Sequence, residues 1–158
     1  MLIRKATTED LVTKIEATCF LPAEAASREA FKERLAHYAD HFLIIFDGDT
    51  PIGFIDGFVT DDEILTDEMF ADASLHNPNG AWQMIFGLNT LPAYRNRGVG
   101  GQLIEAFIEL AKAENRKGVI LTCKEEKIHY YAKFGFVNEG ESESDHGGAK
   151  WYQMRVVF

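Results

Sequence analysis

Apolar and polar positions alternate with two different periods along this chain, and the switches between them outline its elements. Leu2 to Ala6 reads as a short strand. Thr7-Thr8-Glu9-Asp10 opens a helix, with Thr7 as N-cap and Asp10 three residues on. Leu11, Ile15, Thr18 and Cys19 share one face of that helix, and Pro22 interrupts the pattern. A second helix begins near Ala25 or Ser27, with Phe31, Leu35 and Tyr38 on its buried side. The link from Cys19 to Glu24 is unusually apolar for a connection, which suits a folded-back lid or pocket wall as well as a packed corner. Phe42 to Phe46 is a strand by its β-rich composition, Asp47-Gly48-Asp49 is the hairpin turn, and Pro51 to Thr60 returns. Gly53 and Gly57 in that returning strand mark close backbone approach.

Asp61 to Gly80 is an acidic, polar excursion ending in the turn signal Asn77-Pro78-Asn79-Gly80, with Ile64, Leu65, Met69 and Phe70 allowing a short helix inside it. Ala81 to Leu91 is the central strand by apolar content, made irregular by Gly87 and by the polar pair Asn89-Thr90. The best-marked helix follows: Leu103, Phe107, Leu110 and Ala111 lie on one face, Ile104 and Ile108 alongside, and Asn115 and Gly118 end it. Val119 to Cys123 is a strand, Glu125 to Phe134 a short helix closed by Gly135, and Phe136 to Glu139 the start of another strand. A polar loop from Gly140 to Lys150 leads to the last strand, Trp151 to Val157. No repeat, low-complexity tract or linker divides the 158 residues, so a single domain over 1–158 is expected.

The net charge of −9 argues against a nucleic-acid partner, which needs basic surface. The longest pure apolar run, Phe42 to Phe46, is far too short to span a membrane, and the N-terminus lacks a signal-peptide core. Two cysteines, Cys19 and Cys123, make no framework, so buried thiols in a reducing, cytoplasmic setting are expected. The five histidines are dispersed or lone, which suggests no metal site. A homodimer is an open option.

Against that acidic background the basic stretch Tyr94-Arg95-Asn96-Arg97-Gly98-Val99-Gly100-Gly101-Gln102-Leu103 stands out. A strand feeding a glycine loop that opens a helix presents backbone N–H groups and a positive dipole end to an anion. A Walker loop fails because no Lys-Ser/Thr follows the glycines. A dinucleotide fingerprint fits Gly98 and Gly100 but meets Leu103 at its third position. The pattern Arg-x-x-Gly-x-Gly is met in full by Arg95 to Gly100, directly before a helix.

This motif and the order of elements resemble the GNAT superfamily of acyl-CoA-dependent N-acetyltransferases, over essentially the whole chain. Tyr130-Tyr131-Ala132-Lys133-Phe134-Gly135-Phe136 is similar to that family's FYxxxGF signature. Cys19-Phe20-Leu21-Pro22-Ala23-Glu24-Ala25-Ala26-Ser27 resembles the first-loop pattern of its arylalkylamine (serotonin-type) branch. The resemblance implies an α/β (α+β) fold: a mixed, mostly antiparallel sheet of six to seven strands, splayed at the central strand, with about four helices.

It also implies acetyl-CoA as co-substrate. The pantetheine arm would pair with the backbone of Leu88, Asn89 and Thr90 like an added strand. The pyrophosphate would lie on the loop of Arg95, Asn96, Arg97, Gly98, Val99, Gly100 and Gly101. Tyr131 is implied as the general acid that protonates the departing thiolate, favoured by a phenol pKa brought nearer that of the thiol; the residue's competing role is a core aromatic, and Tyr130 is its neighbour on the next helical position. A backbone amide near Leu88 is implied as oxyanion donor.

The branch's paired histidines fall on Met84 and Phe86 here, and neither can carry a proton. Deprotonation of the amine then shifts to solvent or to a carboxylate, with Glu24, Glu63 and Glu125 as candidates. Phe20, Leu21, Met84 and Phe86 suggest a partly hydrophobic pocket for an alkyl or arylalkyl amine, while nearby acids suit a second positive charge, as in a polyamine. The implied activity is direct acetyl transfer to a small primary amine in a ternary complex. A non-catalytic acyl-CoA-binding module and a protein or peptide acetyltransferase are the alternatives.

Overall fold

The computed structural model describes residues 1–7, 10, 28–144 and 148–158. The predicted first helix lies outside them apart from its start. There Asp10 accepts a bond from the Thr7 backbone N–H at 2.8 Å, the reciprocal half of a capping box. Arg4 grips the same carboxylate through both Nη atoms at 2.7 and 2.8 Å. These bonds, the one from Arg4 foremost, hold Asp10 down at about 2.

β1 (Leu2–Lys5), β2 (Phe42–Asp47) and β3 (Thr50–Asp56) form an antiparallel meander. Between β1 and β2 runs α1 (Arg28–Tyr38). β4 (Val59–Thr60), α2 (Asp67–Ala71), β5 (Trp82–Ile85) and β6 (Gly87–Thr90) follow. α3 (Val99–Ala113), β7 (Gly118–Cys123), α4 (Ile128–Ala132), β8 (Val137–Glu141) and β9 (Tyr152–Val157) complete the chain. The strands lie in two sheets, ordered β1-β2-β3-β6 and β4-β5-β7-β9-β8, all antiparallel except the β5–β7 pair.

The strand alternation of β2 distributes the core. Leu43 and Ile45 point to one face and join Leu103, Ile104, Phe107 and Ala111 of α3. Phe42, Ile44 and Phe46 point to the other and meet Phe31 and Leu35 of α1. A third cluster gathers Tyr38, Phe58, Leu65, Met69, Trp82 and Met84 under the acidic excursion. α3 ends where its sequence said it would: Asn115 takes φ 61°, and Arg116 N–H reaches back to Ala111 O at 3.0 Å.

Two predicted strands are each interrupted, so six to seven become nine strand segments among the described residues. The cause is local. A Cβ on Gly57 would stand 1.8 Å from the Met84 carbonyl oxygen, so two backbones cross here at a distance only glycine permits. Asp56 pairs with Gly87 and Val59 with Gln83, so the central strand spends four steps where its partner spends three. That extra residue is a bulge. Phe86 sits in it, its N–H bonded to Asp56 O at 2.8 Å, and the strand leaves one sheet for the other.

The excursion is tied down by a histidine. His76 Nδ1 accepts the Val59 N–H at 3.0 Å, with the His41 ring 5.4 Å away. Burial, then the nearby His41, Arg116 and His37 charges, push His76 down to about 4, opposed by Glu114.

Gly57→Ala is expected to cost about 3 kcal/mol, seen as a lower urea midpoint at unchanged m. His76 favours its neutral form in the fold, while the unfolded residue takes its proton near 6.5. The unfolded state therefore binds more protons between pH ~6.5 and ~4, and stability falls as pH drops through that window. His76→Asn, which keeps an acceptor for Val59, should flatten that fall in urea titrations run across the range.

Candidate active site

The glycine loop makes a left-handed turn into the first turn of α3. Gly98 caps α3 with φ 77°, a left-handed conformation costly for other residues, and Asn96 shares it at 62°. Val99 buries its side chain in the core, which leaves its amide to face the loop. The first amides of α3 have no acceptor within the helix, whose bonding resumes with Gln102 N–H to Gly98 O at 3.0 Å. Arg95 and Arg97 are exposed. Arg95 Nε donates to Thr90 O at 3.2 Å, Arg97 lies 5.4 Å over the Tyr94 ring, and Tyr94 donates to Asp47 at 2.7 Å. The loop is thus pinned to the end of β6.

The bulge gives β6 its second property. β6 pairs with β3 on one side only, while β7, which pairs with β5 through Leu121, continues beyond it. The two strands part, and among the described residues the outer edge of Leu88, Asn89 and Thr90 is unpaired. A cavity of about 420 Å³ opens there, lined by Leu88 and Asn89 on one side and Thr122, Cys123 and Tyr131 on the other. Phe31, Phe54, Phe70 and Phe86 supply apolar wall, and Asp67, Lys124, Ser144 and Trp151 also line it. Ser144 donates to Asp67 across the gap between the last hairpin and α2.

The adjacent tyrosines are separated by helical rotation. Tyr130 turns to the glycine loop, its hydroxyl 2.9 Å from the place a Gly100 Cβ would take, and Tyr131 turns to the cavity. Phe134 packs over Gly101, so the two sequence motifs are in direct contact. Tyr131 is half-buried, its ring 6.1 Å from Phe136. Burial, with Cys123 and Tyr130 beside it, pushes its phenol well above 10. This corrects the expectation of a phenol drawn toward the thiol. Burial likewise raises the Cys123 thiol to about 11, aided by Glu126.

Behind the phenylalanines lies a buried polar trio that sequence spacing gave no way to find. Asp56 is 0% exposed, accepts a bond from Tyr38 at 2.9 Å, and faces Arg34 Nη1 at 3.2 and 3.4 Å. Burial raises the Asp56 carboxyl, against Arg34 and Tyr38, which lower it. Arg34 lines the cavity.

Other expected positions resolve as follows. Phe86 lines the cavity, but Met84, 0% exposed, packs in the third core cluster beneath it and does not. Met84 is thus a core residue, because its strand is paired on both sides there. Phe20, Leu21, Cys19 and Glu24 lie outside the described residues. Glu63 pairs with Arg155 at 3.3 Å and Glu125 is exposed; neither lines the cavity, whereas Asp67 does. Among the described residues no cluster of histidine, cysteine or carboxylate side chains could hold a metal. None of their helices is long and apolar enough to cross a membrane.

The acetyltransferase (GNAT) family matches residues 8–136. The chain belongs to that family. Over 48 residues it is 44% identical to the probable glucosamine 6-phosphate N-acetyltransferase 2 of Oryza sativa subsp. japonica, which is 30% of this chain and 29% of that protein. The match thus spans less than a third of the relative's length. Among solved structures, the GphF GNAT-like decarboxylase in complex with isobutyryl-CoA is similar at TM-score 0.82 and 19% identity, covering 99% of both chains. The loading GNATL domain of CurA from Lyngbya majuscula gives 0.82 at 15%, covering 99% of this chain and 96% of that one. The ribosomal-protein-alanine N-acetyltransferase from Brucella melitensis gives 0.70 at 15%, covering 100% of each. At these identities the likeness shows the GNAT fold: an antiparallel and a mixed sheet flanked by helices.

Tyr38→Phe removes the shortest bond to a fully buried carboxylate. It is expected to cost about 1.5–3 kcal/mol, with the loss read from denaturant unfolding.

Proposed function

We propose that this GNAT chain transfers an acetyl group from acetyl-CoA to the primary amine of a small molecule, by direct attack in a ternary complex. The carrying observation is that Tyr131 and the unpaired edge of β6 line one cavity. The edge suits a pantetheine arm, whose amides would continue the β6 ladder at Leu88, Asn89 and Thr90. The amides of Asn96 to Gly101, with Arg95 and Arg97, suit its pyrophosphate. The cofactor supplies the activated thioester.

In this reading the amine nitrogen bonds to the thioester carbon and the C–S bond breaks. The nitrogen's proton leaves to solvent or to Asp67, the cavity's carboxylate among the described residues. Tyr131 delivers its own proton to the departing sulfur and regains one from solvent. Cys123 shows what this space does to a thiol: its value rises to about 11. A CoA thiolate expelled beside it would meet the same desolvation, which raises its proton affinity. No covalent enzyme intermediate is needed. The likeness of residues 19–27 to the arylalkylamine branch supports a small amine, and the ribosomal-protein-alanine relative supports the peptide alternative.

Acetyl-CoA at ~100 times its dissociation constant is expected to stabilise the fold by roughly 2.7 kcal/mol; an unchanged melting temperature at saturation overturns the donor assignment. Tyr131→Phe should lower kcat on its best amine by about 10²- to 10⁴-fold while acetyl-CoA binding persists. Because burial keeps Tyr131 protonated, the wild-type rate should rise with pH as the amine deprotonates, with no descending limb up to pH ~10. Saturable acetyl-CoA binding with no CoA release on amines or peptides would instead mark a binding module.

A further inference from the structure

The acceptor end of the cavity contains a guanidinium whose donors are not used up. Arg34 is 6% exposed and lines the cavity among Phe31, Phe70 and Phe86. Its carboxylate contacts both come from Nη1, at 3.2 and 3.4 Å, and Nη2 reaches only the Phe70 carbonyl, at 3.4 Å. Its Nε–H is buried and has no acceptor among the described residues. The same protein shows what a satisfied fork looks like: Arg4 meets Asp10 through two nitrogens at 2.7 and 2.8 Å. A buried N–H without a partner is costly, and charged donors in a low-dielectric site gain most from an added anion.

We infer that Arg34 receives a carboxylate of the acceptor, and that the acceptor is an α-amino acid with an apolar side chain. The inference rests on the acetyltransferase reading for its amine end. The phenylalanine walls take the apolar side chain, the carboxylate completes the Arg34 fork, and the amine faces the thioester beside Leu88 and Tyr131. Asp56 and Tyr38 then hold the guanidinium in place: Asp56 balances part of its charge, while the long, one-nitrogen contact leaves the rest of the fork for a second oxyanion. A guanidinium at the floor and Lys124 on the wall disfavour a second positive charge, so the polyamine expectation is set aside.

The test uses matched acceptors on the full-length wild-type protein with acetyl-CoA. Phenylalanine is compared with phenethylamine and phenylalaninamide, and leucine with isoamylamine. CoA release gives kcat/KM, and thermal stabilisation of the CoA complex by each compound gives binding without turnover. A roughly ten- to hundredfold preference for the free acids is expected in either readout. Arg34→Lys keeps a cation for Asp56 but loses the planar fork, and should bring the acid-to-amine ratio close to one. Because that quantity is a ratio within one variant, general loss of activity does not mimic it. Equal or better use of the amines or of phenylalaninamide, which presents the amide of a peptide N-terminus, overturns the carboxylate assignment and leaves acetyl transfer standing. Acid-selective binding without any CoA release does the reverse. No discrimination in either readout overturns the assignment as well.

Discussion

The structure depends on one close crossing, where the Gly57 backbone passes the Met84 carbonyl at a distance that excludes a side chain. With the two strands locked there, the register on either side differs by one residue, and Phe86 occupies the surplus. A bulge bends and twists the strand that carries it. Here it moves the second half of the central strand away from β7 and onto β3. Everything chemical follows from that departure. The edge of β6 is left unpaired, the gap beside it becomes the cavity, and the strand delivers the chain to the glycine loop at the mouth of α3. An edge strand with free N–H and C=O groups is ordinarily a liability. On the proposed reading a single chain-like ligand satisfies it.

The second constraint is dryness. Tyr131 and Cys123 share a wall of the cavity, and burial is the largest influence on both. The effect on each alone is simple: an acid is made weaker. Together they change the proton-transfer problem. A phenol far above its usual range is a poor donor to a thiolate dissolved in water, but in the proposed reaction the thiolate would leave into the same buried environment. Desolvation raises the basicity of the acceptor along with that of the donor.

Local signals carried much of this in the sequence. The glycine loop was legible because its function needs backbone geometry, and Gly98 at φ 77° is visible as a residue type. α3 was legible from its period and its Asn115 end. The choice of Tyr131 over Tyr130 followed from a motif, and helical rotation explains it: one phenol meets Gly100 and the other the cavity. The splay came from family resemblance, and its cause, Gly57, was marked only as a close approach. What could not be read was the trio of Arg34, Tyr38 and Asp56. Its members come from a helix and a strand separated by about twenty residues, and no periodicity announces a buried ion pair. Met84 was misplaced for a related reason. The resemblance to the arylalkylamine branch put it in the pocket with Phe86, but it belongs to the half of the strand that is paired on both sides.

The trio also accounts for the apolar residue at position 86. Its ring lies 5.5 Å from the Arg34 guanidinium, close to Phe70 and Phe58 as well. An imidazole that takes the amine's proton becomes cationic during the reaction. At position 86 that new charge would arise beside a buried guanidinium, and like charges at such separations depress the proton affinity of the weaker base. An imidazole there would be held neutral and would be a poor proton acceptor. A phenyl ring meets the guanidinium through its quadrupole instead, at no cost in charge. On the proposed reading the apolar residue at position 86 and Arg34 beside it go together: solvent or Asp67 takes the amine's proton, and the guanidinium is left to orient the acceptor.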